Sequence, residues 1–290
     1  MFVSGFTIAR NVIKFDYPIV EAIKSVLPLC DEFVVAVGKS EDDTLNLIRS
    51  IGDPKIRIIE TVWDDSLREG GRVLAEETNK AYDAISPDAD WCFYIQGDEV
   101  VHEKYYPAIR EGMQRWKDDA RVEGLLFHYK HFYGSYDYVA DSRKWYRNEI
   151  RVLRKNPEIR SYRDAQGFRK NGRVKLNVKR VDAFIYHYGW VKPPEAQQAK
   201  QQSFHKMWHD DSWMEKNIPK VERFDYSQID SLSKFTETHP LVMQERIRRK
   251  NWEFAFDPTQ KKWGLKMRFL MWLEHNTGWR IGEYKNYNLI

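Results

Sequence analysis

The sequence predicts an α/β protein in which a mostly parallel sheet is flanked by helices. Between residues 2 and 98, short apolar segments alternate with segments whose apolar side chains recur at helical spacing. The segment 91–95 contains no charged residue, which is typical of a strand that is buried on both faces of a parallel sheet. Two carboxylates, Asp98 and Glu99, follow it at the end where such sheets bind ligands.

The elements of the first half are predicted in a regular order. Strands are predicted at 2–8, 33–37, 56–62 and 91–95, where β-branched and aromatic residues dominate. Helices are predicted at 18–26, 42–51 and 72–85, because apolar residues recur there every three or four positions. Four strands and three helices in this order form half of a doubly wound nucleotide-binding fold.

The second half is less regular. A helix is predicted at 105–116 and strands at 122–129, 143–154 and 174–186. After Pro193 and Pro194 the pattern changes to polar helices, predicted at 195–208 and 241–252. We therefore divide the chain into a domain, 1–192, and a helical C-terminal extension, 193–290, that packs on it.

Basic residues alternate with Trp and Leu in the segment 261–273, and two interpretations stay open. The segment could lie in an anionic membrane surface and give a peripheral membrane contact through 261–281. It could instead be a helix that docks on the domain with its cations in water. The contiguous apolar residues 269–273 favour docking, because they cover too wide an arc for a one-sided surface helix.

Composition limits the classes of function. The net charge of +4 does not indicate a nucleic-acid partner, whereas 11 Trp are typical of sugar-binding or membrane-interface surfaces. The two cysteines, Cys30 and Cys92, lie in apolar segments and are predicted to be buried thiols in a reducing compartment. The N-terminus lacks the pattern of a signal peptide. We expect a cytoplasmic protein, peripheral to the inner face of the membrane.

Four short motifs resemble family 2 glycosyltransferases, which have the GT-A fold. The likeness extends over most of the predicted domain 1–192. Gln96-Gly97-Asp98-Glu99 stands where the family has a DxD motif, often continued by Glu. The other matching segments are, in order, Thr7-Ile8-Ala9-Arg10-Asn11 at the first strand and turn, Asp31-Glu32-Phe33-Val34-Val35 at the second strand, and Gly38-Lys39-Ser40-Glu41-Asp42-Asp43-Thr44 at a turn that ends in Asp-x-Thr.

The resemblance implies a metal-dependent, inverting transfer of a sugar from a nucleotide-diphosphate sugar to a glycan or lipid-linked acceptor, as in cell-envelope polysaccharide biosynthesis. Asp98 would bind Mg²⁺ or Mn²⁺, which stabilises the departing diphosphate. His187 ends the apolar strand 184–186 and would be a second metal ligand, although a structural role is equally open. Glu99 would orient the acceptor or a metal-bound water. Gln96 replaces the first acid of the motif, so that its charge is missing.

The same resemblance places donor-binding residues at the strand ends and at the start of helix 72–85. In this family an Asp that recognises the base or ribose often ends the second strand, where this chain has Val37. Asp42, Lys39 or Asp64 would then compensate. Arg72 would approach the donor phosphates, or it is a solvated charge at the end of a helix. The expected donor-binding set is Thr7, Ala9, Arg10, Asn11, Gly38, Asp42, Asp64, Arg72, Gln96 and Gly97.

Inverting transfer needs a general base that takes the proton of the acceptor hydroxyl. The resemblance places this base just beyond a strand with basic residues, here 151–155, and Asp164 follows it. Asp137, Asp141 and Glu149 are alternatives, and a surface loop acid without function is another.

Two other functions compete with sugar transfer. Gln96 and Val37 are the evidence for a catalytically inactive GT-A-like protein that binds a nucleotide or glycan. A nucleotidyltransferase shares the fold and metal but needs a basic N-terminal loop, for which this chain offers only Arg10. The sequence contains no GxSxG, P-loop or CxxC motif, so that hydrolase and dehydrogenase chemistry are poorly supported.

Overall fold

A computed structural model describes residues 1–67, 70–208, 212–213, 216 and 221–290 of the chain. Its helices are α1 Ile19–Val26, α2 Thr44–Arg49, α3 Arg72–Asp83, α4 Tyr106–Trp116, α5 Pro194–Lys206, α6 Gln244–Arg248 and α7 Leu265–Thr277. Its strands are β1 Val3–Ala9, β2 Glu32–Gly38, β3 Ile56–Thr61, β4 Trp91–Tyr94, β5 Glu99–Val101, β6 Gly124–Tyr133, β7 Ser135–Ala140, β8 Asn148–Arg154, β9 Ile159–Tyr162, β10 Gly167–Lys170, β11 Val174–Lys175, β12 Asn177–Trp190, β13 Leu232–Lys234 and β14 Asn288–Leu289.

An 11-stranded central sheet contains most of these strands, in the order β13-β7-β6-β8-β4-β1-β2-β3, with β12 beside β6. Strands β3, β2, β1 and β4 are parallel, and β12 is parallel to β6. Strand β8 runs antiparallel between β4 and β6. The predicted α/β class, with a large central sheet flanked by helices, is confirmed.

Both faces of the sheet are covered, which explains the uninterrupted apolar run 91–95. Trp91 and Phe93 pack in one core with α1 and α4, whereas Cys92 and Tyr94 pack in a second core with α3. Successive side chains of a strand point to opposite faces, so that a strand between two cores needs apolar residues at every position. Both cysteines are buried and free.

Several boundaries differ from the prediction, and two of the differences have a clear structural cause. Strand β8 begins at Asn148 and not at 143, because residues 143–147 form an irregular segment whose Trp145 and Tyr146 line a large cavity. The helix predicted at 241–252 is a 3₁₀ turn followed by α6, which ends at Arg248. Beyond it Trp252 packs against the sheet region, where its indole N–H donates to the Gly134 carbonyl at 2.8 Å.

The chain after residue 192 contributes α5, α6 and α7 together with β13 and β14, which join the central sheet. Helix α7 begins after Gly264 and ends at Thr277, where Gly278 with a φ of 69° caps it. No helix in the described part of the chain is long and apolar enough to cross a membrane.

Candidate active site

A cavity of about 1070 Å³ opens beyond the carboxyl ends of β1 and β4. Its walls come from the turn after β1, the segment after β4, the loop 164–166, the end of β12 and helix α5. Cavities at this edge of an α/β sheet are the usual ligand sites. The predicted site residues that line it are Ala9, Arg10, Asn11, Gln96, Gly97, Asp98, Asp164 and His187.

Asp98 forms the floor of this cavity together with His187 and Lys200. The Lys200 ammonium lies 3.1 Å from Asp98 Oδ2 and 3.0 Å from the carbonyl oxygen of Gly189. The Nε2 atom of His187 lies 3.8 Å from the same carboxylate oxygen. The ammonium of Lys200 thus lies between a carboxylate and a carbonyl oxygen, and the imidazole of His187 approaches the same carboxylate oxygen.

Gly189 is required for this approach. A Cβ atom at position 189 would lie 2.6 Å from Asp98 Oδ2 and 2.7 Å from His187 Nε2. Neither distance is possible between non-bonded atoms, so that any side chain would push the two groups apart. Glycine therefore keeps the space around the carboxylate open.

A chain of hydrogen bonds assigns the tautomer of His187. The Nε2 atom of His131 lies 2.7 Å from the Tyr146 carbonyl, which only accepts, so that this nitrogen carries the proton. His131 Nδ1 then accepts from His187 Nδ1 at 3.1 Å. Burial lowers the pKa of both imidazoles, which keeps them neutral. The remaining nitrogen, His187 Nε2, presents a bare lone pair toward Asp98, as a metal ligand or cation acceptor does.

Asp98 and Lys200 are both charged in this arrangement. Burial alone would raise the pKa of Asp98, but the ammonium of Lys200 holds it well below its usual range. Burial alone would lower the pKa of Lys200, and the neighbouring Tyr17 and Asp98 reverse that effect, so that the pKa is raised. The floor of the cavity is therefore a buried ion pair.

The donor set fits a divalent cation only if the ligand brings further oxygens. No group of three or more His, Cys, Asp or Glu side chains that could hold a metal occurs among the described residues. Asp98 and His187 are two such donors. Mg²⁺ is commonly bound by one or two protein side chains plus substrate phosphates. The pair thus fits a cation that arrives with a diphosphate.

Gln96 has a role that the missing acid could not perform. Its Nε2 group donates to the Ala165 carbonyl at 3.1 Å and thereby holds the loop 164–166 against the segment after β4. A carboxylate has no hydrogen to donate there. The Gln96 amide thus lacks the charge of an acid beside Asp98 and instead provides a hydrogen bond to the loop that carries Asp164.

Among the four acids considered as the base, Asp164 lines the cavity, whereas Asp137, Asp141 and Glu149 are not among the residues found there. Burial raises the pKa of Asp164, as suits a proton acceptor. Gly71 allows the loop to lie this close to the start of α3, because a Cβ atom there would be 2.9 Å from the Asp164 Cβ.

Glu99 does not reach the cavity, which does not fit the acceptor-orienting role predicted for it. Both of its carboxylate oxygens accept from the Arg151 guanidinium at 2.7 Å, and the Tyr129 hydroxyl donates to one of them at 2.7 Å. The side chains of Glu99 and Arg151 are fully buried. The Glu99 carboxylate is therefore engaged in a buried ion pair inside the sheet.

Five of the predicted donor-binding residues are not among those that line the cavity. Asp42 accepts the backbone N–H groups of Ile13 and Lys14 at 3.0 and 2.8 Å and so shapes the turn after β1. Arg72 is exposed and pairs with Glu76 at 3.6 Å. The remaining three are Thr7, which is buried, Gly38, which packs against the Trp63 indole, and Asp64, which accepts from Ser66.

The guanidinium of Arg10 and the indole ring of Trp63 line one part of the cavity. Arg10 binds both carboxylate oxygens of Asp65, at 2.6 and 3.0 Å, and its guanidinium lies 5.2 Å from the centre of the Trp63 ring. Trp63 lies two residues after the end of β3 and is largely buried. An aromatic residue just after a strand end was the signal that could have identified it.

Sequence reasoning also missed Lys200, His131 and the aromatic residues of the far wall. Lys200 lies on α5, a helix whose polar pattern gives no indication of which side faces the site. His131 lies opposite His187 in the register of β6 and β12. A prediction of this strand pairing would have identified it. Trp145, Tyr146 and Trp190 also line the cavity.

No protein-family model matches the chain, and none of the curated proteins does. Solved structures with partial similarity include S. aureus TarS, with a TM-score of 0.42 and 13% identity over 77% of this chain and 41% of that one. Glucosyl-3-phosphoglycerate synthase from Mycobacterium tuberculosis, crystallised with Mn²⁺, UDP and phosphoglyceric acid, gives 0.30 and 20% over 46% and 43%. The 4-diphosphocytidyl-2C-methyl-D-erythritol synthase from Anaerococcus prevotii gives 0.33 and 13% over 53% and 70%. The chain thus spans less than half of the first two proteins, and likenesses of this strength assign it neither a family nor an activity.

Proposed function

We propose that the protein is a GT-A-type glycosyltransferase, which moves a sugar from a nucleotide-diphosphate sugar to an acceptor hydroxyl. One observation carries this proposal. Asp98 binds a cation, the Lys200 ammonium, in a cavity that Asp164 also lines. A leaving diphosphate needs positive charge, and an attacking hydroxyl needs a base. The cavity offers both.

Positive charge at the diphosphate comes first from the chain itself. The ammonium of Lys200 lies beside Asp98, and Arg10 also lines the cavity. Mg²⁺ or Mn²⁺, bound by Asp98 and His187, would neutralise the charge that accumulates on the departing diphosphate. Trp63, beside Arg10, offers a ring surface for the nucleotide base. This surface would replace the carboxylate that often recognises the base in the family, because this chain has Val37 in its place.

Asp164 is the proposed base. In its ionised form it accepts the proton of the acceptor hydroxyl, which makes the oxygen a better nucleophile toward the anomeric carbon. Attack opposite to the leaving diphosphate inverts the configuration at that carbon. Gln96 positions this acid through the Ala165 carbonyl, so that it is a positioning residue in the proposal.

The wider setting is proposed with the same site. Residues 1–192 act as the catalytic domain, and the extension 193–290 supplies Lys200 through α5. The acceptor is a glycan or a lipid-linked sugar, for which the rings of Trp145 and Trp190 give stacking surfaces in the cavity wall. We place the reaction in the cytoplasm, in the assembly of a cell-envelope polysaccharide.

Binding of a panel of UDP-, GDP-, CDP- and dTDP-sugars with and without Mn²⁺ tests the proposal. We expect at least one nucleotide sugar to bind more tightly with Mn²⁺, and Asp98→Asn to weaken that binding about tenfold or more. Gly189→Ala should have the same effect, because its Cβ would enter the space beside Asp98. Asp88→Asn is the matched control, since Asp88 is exposed and outside the cavity lining. Absence of binding, or binding that Asp98→Asn leaves unchanged, would refute the proposal.

An inactive nucleotide-binding protein is the second candidate. Lys200 on Asp98 and the amide of Gln96 favour it, because both reduce the negative charge available to a metal. Slow hydrolysis of the bound nucleotide sugar to free sugar separates the two functions. A transferase should release free sugar in the absence of acceptor, and Asp164→Asn should slow that release, whereas a binding protein releases none.

A further inference from the structure

Helix α7 combines a docked side with an outward apolar side. Its Glu274 lies inward, 2.5 Å from Arg143 and 3.1 Å from Arg147. On the outer side, Leu265, Phe269 and Trp272 are 85%, 59% and 61% exposed. The contiguous apolar run is thus divided between the two sides, and docking on the domain leaves large apolar side chains in solvent.

The outward residues form one stripe. Positions 265, 269 and 272 are spaced by four and three residues, which places them on the same face of a helix that turns about 100° per residue. The Phe269 and Trp272 rings stack, with their centres 6.2 Å apart. Exposed apolar stripes of this kind are rare on a surface that stays in water.

Cations flank this stripe on both sides. On the helical projection, Lys266 falls to one side of Leu265 and Phe269, and Arg268 falls to the other. Both are exposed, as is Lys262 just before the helix. Between 258 and 282 the only acid in the sequence is Glu274, which its arginine partners already neutralise. The exposed side of the segment is therefore apolar at its centre and positive at its edges.

We infer that α7 docks on the surface of an anionic lipid bilayer. The Leu265, Phe269 and Trp272 side chains enter the boundary between headgroups and acyl chains, and Lys262, Lys266 and Arg268 bind the phosphates of acidic lipids. Apolar centre, aromatic ring and basic edges are the features of interfacial helices. Charge complementarity selects this occupant, since neither a neutral protein surface nor a second copy of the same positive face attracts the flanking cations. This inference does not rest on the proposed catalytic function.

Vesicle co-sedimentation of the full chain tests the inference. The probes are phosphatidylcholine vesicles and vesicles of phosphatidylcholine mixed with phosphatidylglycerol. We expect binding to the anionic vesicles to exceed binding to the neutral ones by about tenfold or more and to weaken with added salt. Phe269→Ser with Trp272→Ser should reduce anionic-vesicle binding by about tenfold or more, and Lys266→Glu with Arg268→Glu should remove its dependence on lipid charge.

Leu241→Ser is the matched control, because Leu241 is 71% exposed and lies outside the segment. It should bind vesicles as the unchanged protein does. Circular dichroism and thermal unfolding of each variant keep a folding defect separate from a loss of binding. The inference is overturned if the unchanged protein binds neither vesicle, if the α7 variants bind as well as it does, or if they instead abolish a concentration-dependent dimer without affecting vesicle binding.

Discussion

The charge on Asp98 is fixed by its neighbour and not by the pH of the solution. Because the Lys200 ammonium keeps its pKa well below the usual range, Asp98 stays ionised throughout the range in which enzymes are assayed. The pH dependence of the proposed reaction must therefore come from another group in the cavity. Asp164, whose pKa is raised by burial, is the candidate.

The rate of sugar transfer should fall on the acid side as Asp164 gains a proton. A base acts in its ionised form, so that kcat/KM rises with pH through the pKa of Asp164, which lies above that of an ordinary Asp. We expect Asp164→Asn to lower kcat by about 10²-fold or more and to retain nucleotide-sugar binding. A pH profile of kcat/KM and a donor-binding measurement check both expectations.

Glu149 provides the control for that profile. Burial raises its pKa to about 7, so that its titration would also produce an acid limb. It accepts from Gln166 at 3.2 Å and is not part of the cavity lining. Glu149→Gln should keep the acid limb. An acid limb that vanishes in Glu149→Gln and persists in a still active Asp164→Asn would remove Asp164 from the role of base.

Residues at strand ends were the predictable part of the site. Asp98 follows β4, Asp164 follows β9 and His187 lies near the end of β12, and the fold brings them to one cavity. Glu99 shares the signal of Asp98 but not its direction, since Asp98 lies in the turn after β4 whereas Glu99 begins β5. Lys200 could not be predicted, because its contact with Asp98 joins residues that are 102 positions apart and α5 shows no one-sided pattern.

At the scale of elements, the buried pair of Glu99 and Arg151 joins β5 to β8. Two hydrogen bonds of 2.7 Å connect the side chains, and the Tyr129 hydroxyl of β6 completes the cluster. β5 is only three residues long and pairs with β12. The ion pair therefore fixes the short strand that carries the chain away from Asp98.

Breaking this pair should destabilise the fold. Arg151→Met leaves the Glu99 carboxylate buried without its cation, and we expect the free energy of unfolding to fall by about 3–5 kcal/mol. Arg49→Met is the control, because the Arg49 and Glu60 side chains, 3.0 Å apart, are both more than half exposed. Its effect should be at most about 1 kcal/mol. Chemical denaturation measures both variants, and equal effects would contradict a structural role for Glu99.

The elements themselves were predictable where the chain alternates between strand and helix. Each apolar run up to β4 corresponds to a strand, because strands buried on both faces have an unmistakable composition. The pattern at 241–252 indicated one helix, but contacts with distant residues decide that segment. Trp252 binds the turn at Gly134, 118 positions earlier in the chain, and no local periodicity encodes such a contact.

At the scale of the whole molecule, one ionic cluster joins the surface helix to the cavity wall. Glu274 of α7 contacts Arg143 and Arg147, and Arg280 approaches it at 3.7 Å. The two arginines flank Trp145 and Tyr146, which line the cavity. The Tyr146 carbonyl in turn accepts from His131, the partner of His187. The position of α7 is thus linked by direct contacts to the imidazole beside Asp98.

Removing the Glu274 carboxylate should loosen both ends of this connection. Glu274→Gln removes the anion that Arg143, Arg147 and Arg280 share and leaves Glu283 as the carboxylate beside Arg147 and Arg280, so that the helix and the segment 143–147 both lose an anchor. We expect amide hydrogen exchange to become about tenfold faster in 265–277 and in 143–147, which corresponds to about 1.4 kcal/mol in the local opening free energy. Glu245→Gln is the control, since Glu245 pairs with two exposed arginines of the α6 region. Faster exchange in α7 alone would show that the cavity wall holds its position without the helix, and the link from α7 to His187 would then be wrong.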